Sequence, residues 1–219
     1  MTLVIANNWL WFCIAFGVMQ LTSLIMSRQG DDFYTDDGTV RKFSILDLEF
    51  AANAGEIVSL IKGIFKLAAE QSNKAVKALK SQLYTDFLFM PAAYGSIFLL
   101  CMKTSSKLTT PWGRNIFAVL AWLQLLCWLC DILENIYLLG KIKPQPSQTS
   151  AGAYKAYQLN EILKWGISLT GAVCGISAMF YFWLAGYYGV NSLLYLLIII
   201  AEILLFMVAG KFLIKKKTS

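Results

Sequence analysis

The chain has 219 residues, 58% hydrophobic and 15% charged, against about 45–50% apolar and roughly 25% charged in an ordinary soluble domain. With a mean hydropathy of +0.58 and a net charge of +6, this composition excludes a soluble enzyme, a disordered chain and a disulfide-rich secreted module, and points to an integral membrane protein. The chain has no histidine, which excludes His-ligated haem, di-iron and zinc sites and Ser–His or Cys–His nucleophiles within one chain.

A hydrocarbon core takes about 20 apolar residues per helix. The first such stretch covers residues 3–26. No basic residue precedes it, it is longer than a leader's apolar core, and no small-x-small cleavage site closes it, so it reads as a retained span. An acidic stretch follows, with Asp31, Asp32, Asp36 and Asp37 around Phe33-Tyr34-Thr35 and Gly38 at its end. Its spacing is not that of an EF-hand, and it reads as a solvated loop.

Residues 45–82 combine helical periodicity with charge. Ile57, Leu60, Ile61, Ile64, Phe65 and Ala68 fall on one face, and Lys62, Lys66, Glu70, Lys74 and Lys77 fill much of the remainder. This predicts one long amphipathic helix on the inner leaflet, leading into the second span. The alternative is a helix packed under the bundle or against a partner.

The second span covers residues 83–102. Asp86 lies about one turn inside it, and Asp86, Met90, Ala93 and Tyr94 share a face. Pro91 denies the Phe87 carbonyl its helical donor. The third span, residues 116–139, carries Gln124, Cys127, Asp131, Glu134 and Asn135 at i, i+3, i+7, i+10 and i+11, a single polar stripe on an otherwise apolar helix. Cys127 and Cys130 form a C-x-x-C with no second pair. They read as buried thiols, as do Cys13, Cys101 and Cys174.

After a polar linker over residues 143–152 comes the fourth span, residues 162–187, with Gly166, Gly171, Gly175 and Ala178. Gly171 and Gly175 make a G-x-x-x-G, suited to close packing within the chain or to a homo-oligomer contact. The fifth span, residues 192–214, holds Glu202 near its middle and is followed by Lys215, Lys216 and Lys217, a basic anchor. Trp9, Trp11, Trp112, Tyr187 and Tyr188 at span ends fit an interfacial aromatic belt.

Five spans place Lys103, Lys107 and Arg114 on one side and the remaining sixteen of the 19 basic residues on the other. The positive-inside rule then puts the N-terminus outside and the C-terminus in the cytoplasm of an inner membrane. Anionic inner-leaflet lipid accounts for the net positive charge without nucleic acid. The expected fold is all-α: a single transmembrane domain of five helices plus one long cytoplasmic-side amphipathic helix.

Carboxylates in apolar surroundings are costly and need a reason. Asp47, Glu49, Asp86, Asp131 and Glu134, with Asn135 and Tyr94, fall at a similar, inner-leaflet depth on three helices, and Glu49, Asn53 and Glu56 form a third stripe. Such acids cannot all ionise together unless Arg or Lys side chains, a bound cation or protons sit among them. No cofactor motif is present; a divalent cation is the one cofactor these groups could hold. Arg41, Lys42 and Lys164 are the candidates for phosphate contact.

Ile45-Leu-Asp-Leu-Glu-Phe-Ala51, Asp86-Phe-Leu-Phe-Met-Pro91 with Tyr94, and Asp131-Ile-Leu-Glu-Asn135 together resemble small multi-pass bacterial inner-membrane proteins. The resemblance covers roughly residues 45–170 and implies location but no activity. Three functions fit the residues. One is a transporter- or channel-like protein with a carboxylate site for a cation or cationic ligand. Another is a membrane enzyme on a lipid or isoprenoid head group, using carboxylates with Mg²⁺. The third is a structural or partner subunit whose acids are ion-paired.

Overall fold

The computed structural model describes residues 8–215. The start of the first predicted span and the Lys216–Lys217 end of the basic tail lie outside the described residues. Among the described residues, seven α-helices and one small hairpin follow in order: α1 (Trp9–Gln29), a 3-10 turn (Gly30–Asp32), β1 (Tyr34–Asp36), β2 (Val40–Lys42), α2 (Ile45–Glu49), α3 (Ala54–Lys66), α4 (Ala69–Lys107), α5 (Pro111–Lys141), α6 (Ala151–Leu184) and α7 (Ser192–Lys215). Five of these helices, α1 and α4 to α7, are long and apolar enough to cross a membrane. They correspond to the five predicted spans.

Local chemistry sets the helix ends. Asn8 Oδ1 accepts the Leu10 amide at 2.9 Å and caps α1. Proline opens α5 where its missing N–H costs nothing. α6 stops at Leu184, three residues short of the predicted boundary, because Gly186 adopts φ +72°. There the Tyr187 amide donates to the Phe182 carbonyl and the Gly186 amide to the Trp183 carbonyl, a Schellman closure. α4 runs through Pro91 as one 39-residue helix. At 1.5 Å per residue it is about 58 Å long, against a hydrocarbon core of about 30 Å, so its charged first turns extend beyond any membrane it crosses.

The predicted helix over residues 45–82 is three helices. Ser44 and Asp47 form a capping box that starts α2. Asn53 caps α3 by accepting the Glu56 amide at 3.0 Å, while Glu56 Oε2 accepts the Ala52 amide at 2.6 Å. Two strong start signals within ten residues break what the apolar periodicity alone reads as continuous. Asn53 and Glu56 thus act as caps and not as members of an acidic stripe with Glu49.

The chain forms two compact units. One comprises Ile25–Phe87 and Cys130–Leu163; the other comprises Met1–Leu24, Leu88–Leu129 and Lys164–Ser219. The core of the first gathers Phe33, Phe43, Leu48, Ile57, Leu60, Ile61, Ile64, Leu79, Leu83 and Leu138. The apolar face of α3 is therefore closed off by protein. Ile57, Leu60, Ile61 and Ile64 are fully buried, and Ser59, Lys62 and Lys66 on the opposite side face outward. The acidic stretch that reads as a loop is a 3-10 turn and hairpin lying on α3. Phe33 and Phe43 stack beneath it at 5.3 Å, and the buried Thr35 hydroxyl donates to the Leu60 carbonyl at 2.8 Å.

In the second unit, Gly171 and Gly175 face inward. A Cβ on Gly171 would lie 3.0 Å from Ile97 Cγ2, and one on Gly175 would lie 3.2 Å from Leu100. The G-x-x-x-G is used for packing within the chain. Trp9 stacks on Trp183 at 4.6 Å and meets Phe12 and Tyr188 edge-on. It is core, whereas Trp11, Trp112 and Tyr187 stay exposed as belt residues would. All five cysteines are free thiols.

Candidate functional site

The polar stripe of α5 is buried along its length. Gln124, Cys127, Asp131, Glu134 and Asn135 are all at most 8% exposed, while Trp122, Leu126, Leu129, Leu133 and Ile136 on the other faces are at least half exposed. Helical spacing is the reason: positions 3, 4 and 7 apart stay on one face, and that face is packed.

Within the first unit the lower stripe meets other elements. Asn135 Nδ2 donates to Asp86 Oδ2 at 2.7 Å and to the Leu83 carbonyl at 3.3 Å, joining α5 to α4. Glu134 meets Glu49 at the end of α2 and Glu161 of α6. One carboxylate oxygen from each lies within 4.8 Å of the others, with Glu134 and Glu161 buried and Glu49 half-buried.

Glu49 is held in place by the α2 C-terminus. The Tyr157 hydroxyl donates to the Leu48 carbonyl at 3.3 Å, and the Tyr154 hydroxyl to the Ala51 carbonyl at 2.6 Å. Gln158 Nε2 bonds the same Ala51 carbonyl and the Tyr154 hydroxyl. These donors, three and four residues apart on α6, satisfy carbonyls that a helix end leaves open. They also point the α6 face that carries Glu161 at Glu49. Tyr157 itself is buried in the core of this unit.

The remaining candidates go elsewhere. Asp47 accepts from the Ser44 amide and hydroxyl, a cap at the surface. Asp131 is buried in the same unit as the cluster but is not one of the three converging acids. Tyr94 is buried in the other unit. Of the phosphate-contact candidates, Arg41 pairs with Asp37 at 2.8 Å and Lys42 with Asp31 at 3.0 Å. Lys164 is buried, with its ammonium 5.9 Å from the Trp165 ring centre. Glu202, in the second unit, packs where a Cβ on Gly17 would come within 3.0 Å of its Oε1.

Glu161 escapes the sequence reading because the fourth span is bounded at Ile162, one residue too late. Its signal is present in the chain. Tyr154, Tyr157, Gln158 and Glu161 recur at i, i+3, i+4 and i+7, a polar stripe like that of α5.

Three carboxylate oxygens within 4.8 Å of one another suit an oxygen-seeking cation. Ligands around Ca²⁺ or Mg²⁺ sit at about 2.0–2.6 Å from the ion, so oxygens on opposite sides of one ion are about 4–5 Å apart. Without a positive charge among them, such acids share protons.

Comparison with protein-family models, with curated proteins and with solved structures gave no match. The five apolar helices fit a multi-pass membrane protein, and the buried carboxylate cluster is its most concentrated chemistry.

Proposed function

We propose that this is a multi-pass inner-membrane protein that binds a cation, or a cationic group of a ligand, at Glu49, Glu134 and Glu161, as a transporter- or channel-like protein does. The observation that carries the reading is the convergence of three glutamates from three separate helices, two of them buried. Burying even one carboxylate costs several kcal/mol unless it is neutralised or coordinated. Three carboxylates brought together call for positive charge or protons among them, and a bound cation supplies such charge. The lipid-enzyme reading draws no comparable support, since Arg41 and Lys42 are engaged in surface ion pairs and Lys164 is buried.

The test is thermal unfolding of the purified protein in detergent with Mg²⁺, Ca²⁺, Na⁺ or K⁺ at constant ionic strength. A ligand of the folded state at a hundred times its Kd adds about 2.7 kcal/mol. One cation should raise the Tm of the wild type and of Glu70→Gln, whose side chain is exposed, but not that of Glu134→Gln or Glu161→Gln. The same cation should then cross vesicles containing wild-type protein and not those containing Glu134→Gln. If no cation moves the Tm and the glutamine variants are more stable than wild type, the acids share protons and the reading fails.

A further inference from the structure

Where α1 begins, α4 ends and α7 begins, the second unit has an open, shallow cavity of about 450 Å³. Its wall includes Asn8 and Trp9 from the start of α1, Lys107 at the end of α4, Tyr188 and Asn191 from the connection, and Ser192 at the start of α7. All of these positions flank membrane-length helices.

The charge around this cavity has one sign. Two helix N-termini open onto it, each worth roughly half a positive charge, and neither has an acidic residue in its first turn. Lys107 adds a full charge, its ammonium 5.4 Å from the Tyr188 ring centre. Lys103, one turn earlier on α4, lies 4.1 Å from the Trp9 ring centre. The one acid that the sequence provides in this unit is Glu202, ten residues along α7 from Ser192, or about 15 Å. Among the described residues no carboxylate pairs with Lys107.

The other groups named on the wall are neutral. The Tyr188 hydroxyl is buried and has no hydrogen-bond partner among the described residues. Burial pushes its phenol up to about 12, so it stays neutral at physiological pH and adds no negative charge beside Lys107. Asn8 and Asn191 bring side-chain amides to the wall. Ser192 is already engaged, donating to the Gly189 carbonyl at 2.7 Å and accepting from Trp183 Nε1 at 3.1 Å.

We propose that this cavity binds a phosphate group, with the Lys107 ammonium as its counter-charge and the Asn8 and Asn191 amides as its donors. Lys107 is the specificity-determining residue, because removing it leaves only neutral donors and helix dipoles on the wall. A phosphate on a lipid head group would be served from the membrane side. Leu193, Leu194 and Leu197 begin at the same rim and are at least half exposed, so acyl chains have an apolar helix face to follow. Free phosphate would meet the same donors from the water side. The cavity lies in a different unit from the glutamate cluster, and neither proposal depends on the other.

The full-length protein in neutral detergent would be titrated with short-chain phosphatidylglycerol, counted by native mass spectrometry, and with inorganic phosphate, read by calorimetry. Variants Lys107→Gln, Lys107→Arg and Arg114→Gln accompany the wild type. Arg114→Gln removes an exposed positive charge that does not line the cavity. A charge-assisted hydrogen bond is worth about a tenfold change in affinity. Lys107→Gln should weaken binding by about that factor, while Lys107→Arg and Arg114→Gln stay near wild type. Saturable one-to-one binding of the lipid that inorganic phosphate does not match identifies a head group as the source. Saturable phosphate binding identifies the free ion. Saturable binding of neither, or equal affinity in wild type and Lys107→Gln, overturns the proposal.

Discussion

A Cβ on Gly63 would overlap the Thr35 hydroxyl and lie 2.9 Å from the Asp36 amide nitrogen and 3.0 Å from its carbonyl carbon. Two of those atoms are backbone and cannot swing aside, so the hairpin sits on α3 only because this position has no side chain. Gly63→Ala should destabilise the protein by about 1–3 kcal/mol, the usual cost of overpacking, read as a lower Tm in detergent. A Tm equal to wild type would mean that the hairpin does not rest on α3. At the hairpin's tip, Arg41 donates to Asp37 from Nη2 at 2.8 Å, and this guanidinium holds the Asp37 carboxyl below the ordinary carboxylate range. A folded-state value below the unfolded one makes the pair's contribution complete above about pH 4, and the contribution is lost as pH falls through the folded value. An NMR titration of the Asp37 carboxyl should give a midpoint below the ordinary one, restored to it in Arg41→Gln. Neutral-pH stability should barely change, since the pair is exposed. An unaltered midpoint in the variant would remove the ion pair.

At the scale of the element, periodicity makes α5 legible from its residues alone. A five-residue polar stripe on a helix otherwise made of Leu, Trp and Ile has one economical solution, to face inward, and it does. The same rule applied across residues 45–82 yields one helix that is too long. Apolar period carries no information on interruption, whereas the caps at Ser44 and Asn53 do. Glu161 is lost to a boundary, because an acid placed just before a span reads as an ordinary interfacial charge. What no local pattern contains is which stripes meet: Glu49, Glu134 and Glu161 come from positions far apart in the chain. The glycines of α6 give a contrast that tests packing at this scale. Gly171→Ala places a methyl against Ile97 and Gln124, while a Cβ on Gly166 meets nothing within 4 Å. Gly171→Ala should cost about 1–3 kcal/mol, and Gly166→Ala should change stability by no more than about 0.5–1 kcal/mol, toward greater stability. Equal Tm values for the two would show that the close approach at Gly171 is not used.

For the molecule as a whole, charge is divided more sharply than hydrophobicity. Glu202 apart, every acid in the sequence belongs to the unit that contains the glutamate cluster. The connection between α4 and α5 is flanked only by basic charge, from Lys107 and Arg114. The connection between α5 and α6 lies beside Lys141, Lys143 and Lys155. Lysine and arginine near span ends remain cytoplasmic because moving them outward during insertion is opposed. With three basic residues on one side and the rest on the other, the α4–α5 connection should be external and the α5–α6 connection cytoplasmic. Ser106 and Gln148 are exposed positions flanking or within those two connections, and the native thiols are buried or half-buried. In intact cells a membrane-impermeant maleimide should label Ser106→Cys, and it should label Gln148→Cys only after permeabilisation. The reverse pattern would invert the molecule. The glutamate cluster, which shares its unit with Gln148, would then belong to the outer side. Labelling of both positions in intact cells would mean that an even number of crossings separates them, and the five-span topology would fall.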